Sequence, residues 1–262
     1  MPALTLSDPL TRETSTIDPA THHNPASGPG PRFYCDPIPA QPGSTLTLDK
    51  DQARHATRVL RLSEGDALQL IDGRGTVAHA TLTTANSPTT CTVQRVEHVP
   101  KSTPRIELAA AIPKGPRADS MVNDLAQLGA DVLIPLMTDH SVVHPRDHKL
   151  RRFEKAAAEA GKQSGNAWFM RVDEPVAFAD ALACDAGLRL LADPVAQPLA
   201  DLAQRLDSVS AVRVLIGPEG GLTDEERAAA VQAGFMPWRF SPNVLRIETA
   251  AAAAVAVLRA QA

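Results

Sequence analysis

The sequence predicts an α/β protein in which a parallel sheet with helices on both faces follows a small β-barrel. Three observations carry that expectation: strand-length apolar runs split by turn residues over 31–100, strands alternating with helices from 104 to 262, and an apolar strand entering a glycine-rich loop within 214–226. At 262 residues the chain has room for two modest domains and a tail. A hydrophobic share of 44% and a charged share of 21% belong to an ordinary globular protein rather than to a disordered or membrane chain. Cys35, Cys91 and Cys184 lie far apart without C-x-x-C spacing, so neither a disulfide framework nor a zinc site is expected. The net charge of -4 makes no global case for a nucleic-acid partner, and any such contact has to be local. No charge-free apolar run reaches the roughly 18 residues of a membrane span, and the N-terminus lacks a secretory layout, so the cytoplasm is the expected compartment, with no membrane partner.

Residues 1–30 are rich in Thr, Ser, Pro and Asp and lack an apolar period, which predicts a flexible extension. Over 31–100, runs such as Ser44-Thr45-Leu46-Thr47-Leu48, Ala67-Leu68-Gln69-Leu70-Ile71, 76–82 and 91–96 alternate apolar with polar residues and are separated by turns such as Asp72-Gly73-Arg74-Gly75. One helix is expected between them, over 49–62, with Asp49 as its N-cap. After a proline-containing link, strands are expected at 105–112, 132–136, 188–192, 212–217 and 237–240. Helices are expected near 119–128, 149–163, 198–206 and 224–233 and from the final signature to 262. Such alternation implies right-handed crossovers, and a ligand at the carboxyl ends of the strands.

The most informative stretch is Val214-Leu215-Ile216-Gly217-Pro218-Glu219-Gly220-Gly221-Leu222-Thr223-Asp224-Glu225-Glu226. A buried strand enters a loop whose glycines let backbone groups approach a ligand, and Thr223 with Glu226 forms a T-x-x-E capping box that opens a helix. That geometry suits a nucleoside-like cofactor. Neither a Walker phosphate loop nor a dinucleotide fingerprint is present, and an ordinary strand-to-helix turn has the same spacing. Further on, Arg246 and Glu248 stand just before an Ala- and Val-rich helix that is apolar nearly all round and needs a burial partner or a subunit interface. Charges in that position are functional candidates, or else a structural ion pair.

The stretch Ile216-Gly217-Pro218-Glu219-Gly220-Gly221-Leu222-Thr223, together with Val244-Leu245-Arg246-Ile247-Glu248-Thr249-Ala250, resembles the two C-terminal signatures of the RsmE family of the SPOUT superfamily. Pro31-Arg32-Phe33 and residues 55–66 are similar to that family's PUA-like N-terminal domain, and Lys114-Gly115, Leu128-Gly129, Ser141-Val142-Val143 and Gln163-Ser164-Gly165 to its middle motifs. The resemblance implies a PUA-like β-barrel over 31–100 that docks RNA. It implies a trefoil-knotted methyltransferase domain over 104–262, dimeric through the knot and last helix. It also implies methylation of ring nitrogen 3 of a uridine in 16S ribosomal RNA or the small ribosomal subunit. S-adenosylmethionine is then the cofactor, held by Leu191, Ala192, Ile216, Gly217, Pro218, Glu219, Gly220, Gly221, Ser241, Val244, Leu245 and Arg246. Arg246, Glu248 and Arg32 are the implied catalytic residues: the arginines stabilise charge developing on the base, and Glu248 or a water takes its proton.

For RNA, Arg54, Arg58 and Arg61 fall at i, i+4 and i+7 of the expected helix with His55 at their border, a stripe suited to phosphates or simply a solvated face. Arg32, Arg151 and Arg152 join them, the last two from a locally basic run over 146–155 expected to face the same groove. His140, His144 and His148 recur every four residues, but Pro145 breaks the helix that a metal site would need, so no metal is expected. The chain departs from the family pattern at Ser241 and Asn243, where a glycine and an arginine are usual, and at Asn166, where an arginine is usual. Two other readings stay open: a catalytically impaired RNA-binding or ribosome-assembly protein, and the same methyl transfer on another RNA.

Overall fold

The computed structural model describes residues 30–262, so all but the last residue of the predicted extension over 1–30 lies outside the described residues. Five strands, β1 (Arg32–Tyr34), β2 (Thr45–Thr47), β3 (Ala67–Ile71), β4 (Thr76–Thr84) and β5 (Thr90–His98), form one sheet in the order β1-β3-β4-β5-β2. The alternation read from the sequence sets one face inward: Ala78, Ala80 and Leu82 of β4 pack with Phe33, Leu68, Leu70, Cys91 and Val93 in one core.

The helix expected over 49–62 takes a different form. Asp49 does cap α1 (Lys50–Arg54), accepting from the Gln52 backbone N–H at 2.8 Å. The chain then winds as a π-helix over His55–Val59, Leu60 donating to the His55 carbonyl at 2.9 Å, and Arg61 turns left-handed at φ 55. The wider turn and early end take Arg61 off the face that α-helical spacing assigns to Arg54 and Arg58.

Seven further strands are β6 (Arg105–Ala110), β7 (Val132–Met137), β8 (Arg171–Val172), β9 (Val176–Ala177), β10 (Leu188–Ala192), β11 (Ala211–Ile216) and β12 (Met236–Trp238). They run parallel in the order β12-β10-β11-β6-β7-β8, with β9 also on β7. The helices are α2 (Arg117–Gln127), α3 (Asp147–Ser164), α4 (Phe178–Leu182), α5 (Leu202–Asp207), α6 (Asp224–Gln232) and α7 (Ile247–Gln261). Both faces are covered, as the alternation predicts. Ile106, Leu108, Val212 and Val214 pack with α2, α3, α5 and α7, whereas Ala109, Ile134, Leu191 and Leu215 pack with α4 and α6.

The last helix buries Ile247, Ala250, Ala251, Ala254, Val255 and Leu258 within its own chain, leaving Ala252, Ala253 and Val257 half-buried and Ala256 exposed. Near its end, Arg259 donates to the carbonyls of Gly129 at 2.7 Å and Pro104 at 2.9 Å and pairs with Asp131 at 2.7 Å. The two sheets are joined through Ala167, Trp168 and Phe169: Gly75 donates to Ala167 O and Phe169 to Gly73 O, each at 2.9 Å, and Trp168 Nε1 donates to Val99 O at 2.9 Å. Among the described residues no helix is long and apolar enough to cross a membrane.

Candidate active site

The site is assembled where three parallel strands end. Beyond β11 the chain bends through Gly217-Pro218-Glu219-Gly220-Gly221, and Gly221 sits at φ 75, a conformation that favours glycine. The predicted capping box is present: Thr223 Oγ1 accepts from the Glu226 N–H at 3.1 Å, and Glu226 Oε2 accepts from the Thr223 N–H at 2.9 Å. Glu226 also reaches sideways, its Oε1 accepting from the Asp139 N–H at 3.0 Å, while His140 Nδ1 lies 3.0 Å from the Gly221 carbonyl oxygen. Two loops are thereby clasped. A Cβ at Gly220 would stand 3.2 Å from that of His140, so the missing side chain permits the approach.

Under this loop lies a cavity of about 200 Å³. Its lining comes from the end of β10 and the residues after it (191–194), from Ile216 and the loop after it, from Trp238 at the end of β12 and the segment to Leu245 apart from Pro242, from Arg227 of α6, and from Ile247 and Ala250 of α7. The walls are largely apolar, with Leu191, Ile216, Trp238, Phe240 and Leu245 prominent. One polar pair stands among them: the buried Asp193 carboxylate meets Arg227 and accepts from the Val195 N–H at 3.0 Å. Apolar walls for a flat ring, bare backbone edges and the carboxylates of Asp193 and Glu219 for hydroxyl or ammonium groups are the donor and acceptor set of a nucleoside pocket.

Of the predicted cofactor residues, Leu191, Ala192, Ile216, Gly217, Pro218, Glu219, Gly221, Ser241, Val244 and Leu245 line this cavity. Gly220 faces His140 instead. Arg246 does not line it either: it is the exposed N-cap of α7, without a side-chain capping bond, between the lining residues Leu245 and Ile247. At the positions where the resemblance implies a glycine and an arginine, Ser241 Oγ accepts from the Asn243 N–H at 3.1 Å within the turn. Glu248 lies in the first turn of α7 with its side chain 15% exposed. Its Oε1 is 3.6 Å from Arg117 Nη1, which is also 3.1 Å from Glu219 Oε1.

Arg32 is elsewhere in the chain. Its Nε donates to Gln69 Oε1 at 2.9 Å, its guanidinium packs over Gly165, and it lines a separate cavity of about 560 Å³ with Gln52, His55, Glu159 and Lys162. Arg54, His55, Arg58 and Arg61 are all exposed. So are Arg151 and Arg152, but Arg152 is paired with Asp119 at 3.0 Å. Lys162 lines the cavity with Arg32 and His55, and ten residues of α3, about 15 Å of helix, lie between it and Arg152. Sequence reasoning missed Arg117, Asp193 and Arg227. Asp193 had a usable signal, an acid directly after a buried strand; the other two meet partners distant in sequence.

This pocket at the ends of parallel strands, with a five-stranded sheet ahead of it, defines a two-domain RNA methyltransferase: residues 100–259 match the RNA methyltransferase domain and residues 48–94 the RNA methyltransferase PUA domain. Over 222 residues the chain is 32% identical to the ribosomal RNA small subunit methyltransferase E of Synechocystis sp., spanning 83% of this chain and 73% of that one. The chain belongs to this ribosomal RNA small subunit methyltransferase E (RsmE) family. Among solved structures, the fold is similar to the family member from Neisseria gonorrhoeae bound to S-adenosyl methionine, with a TM-score of 0.79 and 27% identity over 88% of this chain and 97% of that one. A methyltransferase from Legionella pneumophila, also in complex with this cofactor, has a TM-score of 0.74 and 29% identity over 88% of this chain and 97% of its own.

Proposed function

We propose that this chain transfers the methyl group of S-adenosylmethionine to ring nitrogen 3 of a uridine in 16S ribosomal RNA. The reading is carried by the convergence of three strand exits, 191–194, 216–222 and 238–245, on one largely apolar pocket. The cofactor supplies an electrophilic methyl group when bound there. The lining residues named above hold its adenosyl part by shape and backbone contacts, with Asp193 as the acceptor for its polar groups.

A neutral uridine carries a proton on the nitrogen to be methylated. Glu248 is the acceptor, because its Oε2 is buried without a hydrogen-bond partner and an N–H aimed at it satisfies both groups. Arg246, exposed beside the pocket, stabilises negative charge developing on the ring. The domain over 31–100 grips phosphates through Arg54, His55, Arg58 and Arg61, with Arg32 and Arg151 extending the track and Arg152 joining when RNA displaces Asp119. A second copy covers the small residues that α7 leaves open around the knotted end of the domain over 104–262, giving a homodimer that works on small-subunit RNA in the cytoplasm.

The test is incubation with labelled cofactor and either deproteinised 16S RNA or assembled small subunits, followed by mapping of the modified base. Label on ring nitrogen 3 of a single uridine is expected. With transfer RNA in a parallel incubation and cofactor affinity measured by calorimetry, label on transfer RNA alone supports another substrate, and tight cofactor binding without transfer to any RNA supports the assembly role.

A further inference from the structure

Arg117 opens α2, directly after a turn in which Gly115 sits at φ 66, far in sequence from both carboxylates it meets. Nη1 of this one side chain faces Glu219 in the pocket loop and Glu248 at the start of the terminal helix, at 3.1 Å and 3.6 Å. Both carboxylates engage the guanidinium through Oε1, and for Glu248 this leaves Oε2 buried and unpartnered. Without the cation the two acids, both drawn to one guanidinium nitrogen, would repel each other, and Glu248 would be free to rotate away.

We propose that Arg117 is a positioning residue: it holds Glu248 through one oxygen so that the other is left free to accept from the base, and through Glu219 it ties this acceptor to the loop that embraces the cofactor. This rests on the reading of the site given above. Its distinct content is that acceptor placement depends on a residue of α2 outside the pocket lining. Cofactor capture depends on the lining, so Arg117 governs turnover more than binding.

The test compares wild type with Arg117→Gln, Arg117→Lys, Glu248→Gln and the double variant Arg117→Gln/Glu248→Gln. Turnover on the RNA, KM for RNA, and calorimetric affinity for S-adenosylmethionine are measured, with thermal melting to verify folding. Arg117→Gln is expected to lower kcat at least ~10-fold, with cofactor Kd and RNA KM each within about 3-fold of wild type. Arg117→Lys should recover most of the loss. The double variant should turn over no more slowly than Glu248→Gln alone, because the two side chains act as a unit. Wild-type kcat in Arg117→Gln, independent multiplication of the two losses, or a collapse of cofactor affinity with kcat intact at saturation would each overturn the positioning role while leaving the methyltransferase reading in place. If the melt shows Arg117→Gln unfolded, the Lys variant decides: a kcat below wild type with cofactor Kd and RNA KM unchanged supports the role, because an ammonium replaces the guanidinium fork, and a kcat equal to wild type rejects it. A wild-type protein that methylates no RNA overturns both readings together.

Discussion

Asp193 and Arg227 meet at the wall of the pocket, the acid delivered by the end of β10 and the guanidinium by α6. The carboxylate is buried, and Arg227 and the Val195 N–H hold it in place. Asp193→Asn is expected to weaken S-adenosylmethionine binding by about 10- to 100-fold in calorimetry, since an unpaired guanidinium then faces a cationic ligand. The demethylated product lacks the sulfonium charge, so its affinity should fall less. Equal losses for both ligands would show that the pair shapes the pocket without acting electrostatically.

Gly221 tests the loop by itself. At φ 75, with nothing within 4 Å of a Cβ built there, substitution meets a backbone cost and no steric one. Gly221→Ala should therefore cost about 1–2 kcal/mol of stability, the price of a left-handed L-residue. Cofactor affinity should drop as well, because the relaxed loop withdraws its backbone from the pocket. Unchanged melting and unchanged affinity would mean that the bend is softer than the structure implies.

Cys91 provides a pH signature. Burial, with a smaller contribution from Cys35, pushes its thiol up to about 11 from the usual value near 9.0. A group whose folded value is raised adds stability that is complete below its unfolded value and is lost as pH climbs through the folded one. Cys91→Ala should flatten the decline in unfolding free energy between about pH 9 and 11. Native Cys91 should also resist thiol reagents at pH 8 and react only on unfolding. Rapid labelling of the folded protein at that pH would contradict the burial.

The loop over 214–226 was legible in the sequence because its determinants are local: an apolar run, three glycines and a capping pair three residues apart. Long periodic helices such as α3 were legible for the same reason. By contrast β1, β8, β9 and α4 span only two to five residues, too short to show a period. The π-helical turn at His55 leaves no signature that spacing can detect, which is why the stripe of Arg54, Arg58 and Arg61 reads as a single helical face. Placement of Arg32 and the meeting of Arg117 with Glu248 depend on how distant segments pack, and no one-dimensional pattern encodes that.

Arg259 shows how the chain end is secured. Its guanidinium takes two carbonyls and the Asp131 carboxylate, and Asp131 also meets Lys101 at 3.2 Å and the Ile106 N–H at 2.8 Å. The cluster links the interdomain link, the turn before β7 and the last turn of α7, the helix that supplies Ile247 and Ala250 to the pocket. Arg259→Met keeps the stem but strands two carbonyls and removes one of two cations from a carboxylate only 7% exposed. The expected cost is about 2–3 kcal/mol, below that of a fully unpaired buried charge because Lys101 remains. In a chain of this size it should lower the melting temperature by about 5–10 °C. Well below that temperature the pocket end of α7 is still held by its own core contacts, so cofactor affinity should stay within about 3-fold of wild type. A melting point unmoved by Arg259→Met would mean that the helix end frays in solution and that packing at Ala251, Ala254 and Leu258 alone anchors it.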